Sequence, residues 1–84
     1  MSTKWFVYIL LCADHSLYTG ISPDPQKRFE DHKKGQGGAY TRSHKPLKLL
    51  HAEPFLTKSE ALKRELQIKK MPRRIKIRLL KFRP

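Results

Sequence analysis

The sequence predicts a small α+β domain whose elements follow the order ββαβαα along 84 residues. Runs rich in aromatic and β-branched residues, typical of strands, alternate with segments that open on capping residues and prolines, typical of helices. The length leaves room for one domain over residues 1–84, with a small core. Hydrophobic residues make up 38% of the chain and charged residues 31%, a balance that favours a folded protein.

The first two elements form a predicted β-hairpin. Lys4 to Cys12 contains the run FVYILL, which predicts a strand that is buried on both faces. The segment Ala13-Asp14-His15-Ser16 supplies turn residues, and Leu17 to Ile21 predicts the second strand. Because Cys12 lies in an apolar run, we expect a buried thiol with a packing role.

A helix, a loop and a third strand follow. Ser22 to Pro25 offers a capping residue and a proline suited to a first helical turn, which predicts a helix from about Pro25 to Lys34 that ends at Gly35. Gly35 to Pro46 reads as a flexible, basic loop. Leu47 to Phe55 predicts the third strand.

The last two predicted elements are helices. Thr57 and Glu60 match a capping box that opens a helix from about Lys58 to Lys70. Met71-Pro72 ends this helix, and Pro72 favours the start of another that reaches about Phe82.

The charge of the chain indicates a polyanionic partner. It carries 19 Lys and Arg against 7 Asp and Glu, a formal net charge of +12. Such an excess of positive charge attracts nucleic acid, so we expect DNA or RNA as the partner. We expect no membrane, since no apolar run is long enough to span one. The amino-terminal run has no cleavage-site pattern, which predicts a cytoplasmic protein, with nucleoid association as an option. The four histidines lack zinc-site spacing.

Glu65 stands out on the predicted helix from Lys58. With Ala61 set at 0°, the apolar arc extends from Ile68 at about −20° to Leu66 at about 140° and includes Leu62. Glu65 falls inside this arc, at about 40°. Because an ionised carboxylate is almost never buried without a partner, we expect either a salt bridge or a metal ligand at this position.

The preceding helix also places charge where apolar residues are expected. Arg28 and His32 are spaced i, i+4 and project side by side, and Phe29 is the single large apolar residue of that helix. Two interpretations stay open. The helix is either solvated and held by Phe29 alone, or it presents a cation and a proton carrier to a cleft.

Two tyrosines of the hairpin complete this set. Tyr8 lies in the middle of the first strand, and Tyr18 lies at the start of the second, just before Gly20, whose missing side chain would allow close approach of a backbone or ligand. Each tyrosine alone is an ordinary sheet residue. Together with Arg28 and His32, they indicate an active site.

The motifs resemble those of the GIY-YIG nuclease superfamily, in particular its small single-domain bacterial members. The matching segments, which cover nearly the whole chain, are Val7-Tyr8-Ile9, Tyr18-Thr19-Gly20, Arg28 to His32 and Ala61 to Glu65. The hairpin from Cys12 to Ile21 and the loop segment Tyr40-Thr41-Arg42 match as well. The resemblance implies a three-stranded antiparallel sheet flanked by helices, and hydrolysis of phosphodiester bonds with one divalent metal.

Residue roles follow from this resemblance. Glu65 matches the metal-binding glutamate and Arg28 the arginine that stabilises the transition state. Tyr8 and Tyr18 match the motif tyrosines, one of which orients or deprotonates the attacking water, and His32 matches a position held by His or Tyr. A metal with one carboxylate ligand suits magnesium, with manganese as an option. Expected nucleic-acid contacts are Lys33, Lys34, Tyr40, Thr41, Arg42, Lys69 and Lys70.

The chain departs from the family pattern at two points. Ile21 replaces a lysine found in excision-repair relatives, and the chain has no asparagine to follow Glu65. Three hypotheses stay open: a metal-dependent DNA endonuclease, a basic DNA- or RNA-binding module without catalysis, and a ribosome-associated basic protein. Specificity comes either from the basic loop at Gly35 to Lys45 or from a targeting protein partner.

Overall fold

A computed structural model describes residues 4–81. Its strands are β1 (Trp5–Cys12), β2 (Leu17–Ser22) and β3 (Pro46–Phe55). Its helices are α1 (Pro25–Lys33), α2 (Ala39–Ser43), α3 (Lys58–Lys70) and α4 (Arg73–Lys81). The predicted α+β class is confirmed, and within the described range α2 is the one element that the sequence did not predict.

The three strands form one antiparallel sheet in the order β2-β1-β3. Residues 13–16 make the tight turn between β1 and β2, where His15 adopts a left-handed φ of 68° and Asp14 accepts hydrogen bonds from Ser16. The central position of β1 explains its apolar run, because it has a neighbour on each edge and helices on each face. In this register Tyr8 lies opposite Gly20 on β2 and Ala52 on β3.

Successive side chains of β1 point to opposite faces of the sheet and build two separate apolar clusters. On one face Val7 and Ile9 pack with Ala61 and Ile68 of α3. Leu79 and Leu80 of α4 pack against the same cluster.

On the other face Tyr8 and Leu10 pack against Phe29 of α1. This face therefore brings the phenol of Tyr8 next to the helix that carries Arg28 and His32.

Local signals set the helix ends as predicted. Asp24 caps α1 by accepting a hydrogen bond from the backbone N–H of Lys27 at 3.1 Å. Thr57 accepts from the N–H of Glu60 at 3.1 Å, as the capping box requires, and opens α3. Met71 is extended and ends α3, and the predicted end of the last helix at Phe82 lies outside the described residues.

The expected flexible loop from Gly35 to Pro46 contains a short helix instead. The chain reverses through Gly35 and Gly38, whose φ values of 79° and 122° favour glycine, and α2 follows. Thr41 on α2 is only 2% exposed. The sequence pattern missed α2 because a five-residue helix has no room for an amphipathic period.

An ion-pair network fixes α3 to the edge strand β3. Arg64 donates to both carboxylate oxygens of Glu53, from Nε at 2.8 Å and from Nη2 at 3.2 Å. His51 Nε2 lies 2.7 Å from the same carboxylate. Among residues 4–81, no helix is long and apolar enough to cross a membrane.

Candidate active site

The candidate site centres on a buried hydrogen bond between β1 and α1. The phenolic oxygen of Tyr8 lies 2.9 Å from Nε2 of His32, and each residue is 1% exposed. Phe29, one turn before His32, anchors α1 on the sheet and so holds the imidazole over Tyr8. The side chain of His32 therefore points inward, so α1 is not a solvated helix held by Phe29 alone.

A second hydrogen bond fixes the other edge of the imidazole. Nδ1 of His32 lies 2.7 Å from the hydroxyl of Thr41, and this hydroxyl lies 3.5 Å from the carbonyl oxygen of Gly38. With Thr41 donating to that carbonyl, Nδ1 of His32 carries the proton that Thr41 accepts. Nε2 is then left to accept the hydroxyl proton of Tyr8.

Two glycines leave the space that this arrangement needs. A Cβ at Gly20 would lie 2.6 Å from the hydroxyl oxygen of Tyr8, and a Cβ at Gly37 would overlap the ring of His32. We expected Gly20 to admit a backbone or ligand, and the group that approaches it is the Tyr8 hydroxyl itself. Gly37 had no role in the sequence interpretation.

Arg28 lies one turn before His32 on α1, beside it as the i, i+4 spacing predicted. Its Nη2 donates to the carbonyl oxygen of Gly37 at 3.2 Å, and Nη1 lies 4.0 Å from a carboxylate oxygen of Asp31. The side chain is 38% exposed, so the guanidinium reaches the surface at the edge of the buried pair.

The surroundings raise the pKa of Tyr8 and lower the pKa of His32. Burial raises the pKa of Tyr8 above its usual value of 10.0, an increase to which Tyr18 adds and which the charge of Arg28 reduces. Burial, followed by the charge of Arg28, lowers the pKa of His32 from 6.5, while Asp31 raises it. At neutral pH the pair is therefore a protonated phenol facing a neutral imidazole.

Tyr18 begins a series of ring contacts that leads outward from the buried pair. Its ring centroid lies 5.1 Å from that of His32 and 6.3 Å from that of Tyr8. On its other side the ring of Tyr40 lies at 5.6 Å, and the ring of His44 lies 4.0 Å from Tyr40 and is nearly parallel to it. The site therefore brings both predicted tyrosines to the same imidazole.

Glu65 lies on α3 with its side chain 15% exposed. One carboxylate oxygen lies 3.4 Å from Nζ of Lys69, a side chain that is 51% exposed, so the salt bridge considered from the sequence is present. The negative charge of Glu65 also raises the pKa of Tyr8, which associates this carboxylate with the site.

The donor set suits a hydrated metal ion. Within the described residues, no three His, Cys, Asp or Glu side chains are grouped to hold a metal. A lone, mostly buried carboxylate near the phenol fits magnesium, which retains waters and binds phosphate, better than it fits zinc. Glu65 as a metal ligand stays a prediction.

The five cations expected to contact nucleic acid are all exposed. They are Lys33, Lys34 and Arg42, together with Lys69 and Lys70 at the end of α3. An open depression of about 260 Å³ backs onto the imidazole. It is lined by His32, Lys33, Lys34, Gly35, Thr41, Arg42, Lys45 and Pro46.

Thr41 is the exception among the expected nucleic-acid contacts. This residue is buried, and its hydroxyl is hydrogen-bonded to His32. Thr41 therefore positions the imidazole and does not form the surface contact that we had expected. Lys45 and His44 were not among the expected nucleic-acid contacts. Both follow the Tyr40-Thr41-Arg42 segment closely, and its basic and aromatic residues were the sequence signal that could have indicated them.

A family model described as the GIY-YIG catalytic domain matches residues 4–78. A UPF0213 protein of Staphylococcus aureus strain Mu50 is 51% identical over 78 residues, which cover 93% of this chain and 95% of the relative. The UPF0213 protein of the COL strain matches to the same extent. These names state no activity.

Two structures solved in solution by NMR are also similar. A UPF0213 protein of Bacillus halodurans has a TM-score of 0.62 at 38% identity, covering 95% of this chain and 85% of that one. A protein of E. faecalis has the same TM-score and identity, with 93% and 83% covered.

Proposed function

Because the chain belongs to the GIY-YIG catalytic domain family, we propose that it is a metal-dependent endonuclease that hydrolyses phosphodiester bonds in DNA. The observation that carries this proposal is the buried hydrogen bond between Tyr8 and His32, with Arg28 one turn before His32 on α1 and Glu65 near enough for its charge to raise the pKa of Tyr8. Attack of water on a phosphodiester needs a proton acceptor, a cation for the transition state and a metal ligand. The phenol and imidazole together supply the first, the arginine the second and the carboxylate the third.

The Tyr8–His32 pair acts as a proton relay in this proposal. The attacking water gives a proton to the Tyr8 hydroxyl oxygen while the proton of Tyr8 moves to Nε2 of His32. The water oxygen bonds to phosphorus, the bond to the leaving oxygen breaks, and solvent protonates that oxygen. His32 afterwards releases its proton to solvent, so one water is consumed in total.

The pKa directions favour a relay over a stable tyrosinate. Since burial raises the pKa of Tyr8 and lowers that of His32, a full proton transfer between them at rest is unfavourable. From the unperturbed values of about 10 and about 6.5 alone, it costs roughly 5 kcal/mol. Concerted transfer avoids a buried phenolate, because Tyr8 gains one proton as it loses the other.

Arg28 contacts phosphate oxygens in this proposal, as charge develops on them. Its guanidinium is partly exposed, and the hydrogen bond to the carbonyl oxygen of Gly37 fixes its orientation. A guanidinium can contact two oxygens of one phosphoryl group, a geometry that lysine lacks.

Glu65 would hold the metal. A bound divalent cation would offset negative charge on the phosphate and favour attack at phosphorus. Because this carboxylate is mostly shielded from solvent and its ion pair is with a half-exposed lysine, it can accept a cation by displacing Lys69.

The test is cleavage of end-labelled DNA with magnesium or manganese. We expect Glu65→Gln and Arg28→Ala each to lower the rate by at least about 100-fold, the scale of losing one transition-state contact. Glu30→Gln and Lys27→Ala are matched controls, because both residues lie on α1 in exposed surface ion pairs and should leave the rate unchanged. Cleavage that survives both site substitutions would overturn the proposal.

A second candidate is a nucleic-acid-binding module without catalysis. The net charge of +12, Ile21 in place of a lysine and the absence of asparagine favour it. It predicts salt-sensitive binding of DNA or RNA that is indifferent to metal and to Glu65→Gln, with no cleavage. Metal titration in one binding assay therefore separates the two candidates.

A further inference from the structure

The ring contacts that leave the active site end at the protein surface. Tyr18 contacts the imidazole of His32, Tyr40 stacks on Tyr18, and His44 stacks on Tyr40 at 4.0 Å with 6° between the ring planes. We call Tyr18, Tyr40 and His44 the aromatic stack. Tyr40 is 39% exposed, whereas Tyr8 and His32 at the inner end are 1% exposed.

The outer pair of the aromatic stack is held in place. Nδ1 of His44 lies 2.9 Å from the carbonyl oxygen of Tyr40, and Nε2 lies 3.6 Å from a carboxylate oxygen of Asp14 in the hairpin turn. Tyr40 belongs to α2, and His44 caps the end of this helix one turn later. A surface built from two fixed rings loses little conformational freedom when a third ring stacks on it.

Positive charge lies close to this surface in the chain, because Arg42 belongs to α2 and Lys45 follows His44. The depression that backs onto His32 is lined by four cationic side chains and by no carboxylate. These cations are Lys33, Lys34, Arg42 and Lys45. Helix α2 thus contributes Tyr40 to the aromatic stack and Arg42 to a depression whose cations attract phosphate.

We propose that the aromatic stack binds an unpaired nucleobase of the strand that is cut, so that the substrates are nucleic acids with a single-stranded segment beside the cleaved position. The inference rests on the proposed function, since it names the substrate class of that same site. The base extends the exposed Tyr40–His44 pair, and the flanking phosphates lie in the depression beside Arg42.

The requirement for an unpaired base follows from geometry. Inside a duplex both faces of each base are covered by neighbouring pairs, so a protein ring stacks only on a base that is unstacked or at a strand end. Three successive ring contacts connect His44, at the outer end of the aromatic stack, to the imidazole of His32. A base bound at its outer end is therefore up to a few nucleotides from the reacting phosphate along the strand, since the successive ring centroids are 5.1, 5.6 and 4.0 Å apart.

Binding is tested first, in the Glu65→Gln background so that the probe stays intact. The probe is a single-stranded DNA oligonucleotide that contains 2-aminopurine, a base whose fluorescence reports stacking. We expect fluorescence to change on binding, and Tyr40→Leu, which removes the ring on which His44 stacks, to weaken binding about 5- to 150-fold, the range of one base stack. Tyr40→Phe keeps the ring and should bind like the parent.

Two results would overturn the inference. One is equal affinity of the Tyr40→Leu and Tyr40→Phe variants for the probe. The other is equal affinity of the parent for single-stranded and fully paired DNA of the same sequence. Thermal unfolding of each variant checks that Tyr40→Leu is folded, and Leu47→Ala, which removes another exposed apolar side chain, is the surface control.

Cleavage distinguishes failure of this inference from failure of the proposed function. With the active protein and magnesium, we expect a single strand or a flap to be cut at least about 10-fold faster than the matched duplex, within the range that one base stack contributes. Equal cutting of both would reject the base-stacking site and leave the endonuclease assignment intact. Stacking without cleavage of any substrate would retain the binding site and reject the endonuclease.

Discussion

Nε2 of His32 lies 2.9 Å from the hydroxyl oxygen of Tyr8, and both groups are buried. This contact distinguishes the two tyrosines of the motif, which the sequence left equivalent. The Tyr8 hydroxyl has an acceptor for its proton, and Tyr18 contacts the same imidazole through its ring, at a centroid distance of 5.1 Å. Proton transfer is therefore assigned to Tyr8 in the proposed mechanism.

Tyr8→Phe should abolish cleavage, because it removes the group that passes the proton to His32. The expected loss is about 10² to 10⁴-fold, the usual contribution of a positioned acid or base. Tyr18→Phe keeps the ring contacts and should lose much less. Single-turnover cleavage rates compare the two variants, and a Tyr8→Phe protein that cuts at the parent rate contradicts the relay.

Thr41 should act as a positioning residue for His32. Thr41→Val keeps the shape of the side chain and removes the hydroxyl that faces Nδ1 at 2.7 Å. The buried nitrogen then lacks a partner, which costs about 1–3 kcal/mol in the free energy of unfolding. Urea unfolding measures this loss, and nitrogen-15 NMR of the imidazole should show a smaller fraction protonated at Nδ1.

Thr41→Ser is the matched control, since it retains the hydroxyl. It should recover the tautomer and most of the cleavage rate. If Thr41→Val leaves both the NMR signal and the rate unchanged, the hydroxyl does not set the protonation state of His32.

The stability of the fold should fall in acid through Glu53. Burial opposes ionisation of this carboxyl, but the hydrogen bonds from Arg64 and His51 more than offset it, so its pKa is lowered from the usual 4.5. A depressed pKa stabilises the folded state above the unfolded value, and that contribution is lost as pH falls through the folded pKa.

Glu53→Gln should therefore lower the free energy of unfolding by about 1–3 kcal/mol at neutral pH, as expected for hydrogen bonds to a charged group. The difference from the parent should shrink from neutral pH towards an acid limit below the lowered pKa of Glu53, as the carboxyl of the parent becomes protonated. Urea unfolding at neutral pH and at the acid limit measures this difference in the free energy of unfolding, with Glu30→Gln as the exposed control. A difference that is undiminished at the acid limit would mean that charge on Glu53 does not stabilise the fold.

Local sequence signals sufficed for most of the fold. The bounds of α3 were predicted correctly because the Thr57 cap and the Met71-Pro72 break each act within a few residues. By contrast, α2 depends on Thr41 bonding to His32, a contact nine residues away, which a local pattern does not reveal.

The site was predictable to a similar extent. Helical spacing placed Arg28 beside His32, and the family motifs added the tyrosines. The approach of Tyr8 to His32 joins residues 24 positions apart and depends on strand register and on how α1 packs. No periodicity indicated that Glu53 would engage Arg64 across 11 positions.

The alternation of side chains along β1 has a consequence for how the protein tolerates change. Tyr8 faces the reactive side of the sheet, while Val7 and Ile9 face the apolar cluster under α3. Because this alternation has a period of two residues, inserting or deleting one residue within β1 exchanges the two faces. An aliphatic side chain would then replace the phenol, and the hydroxyl would enter the core. We therefore expect a one-residue change in the length of β1 to destabilise the protein more than a replacement in place that conserves side-chain volume.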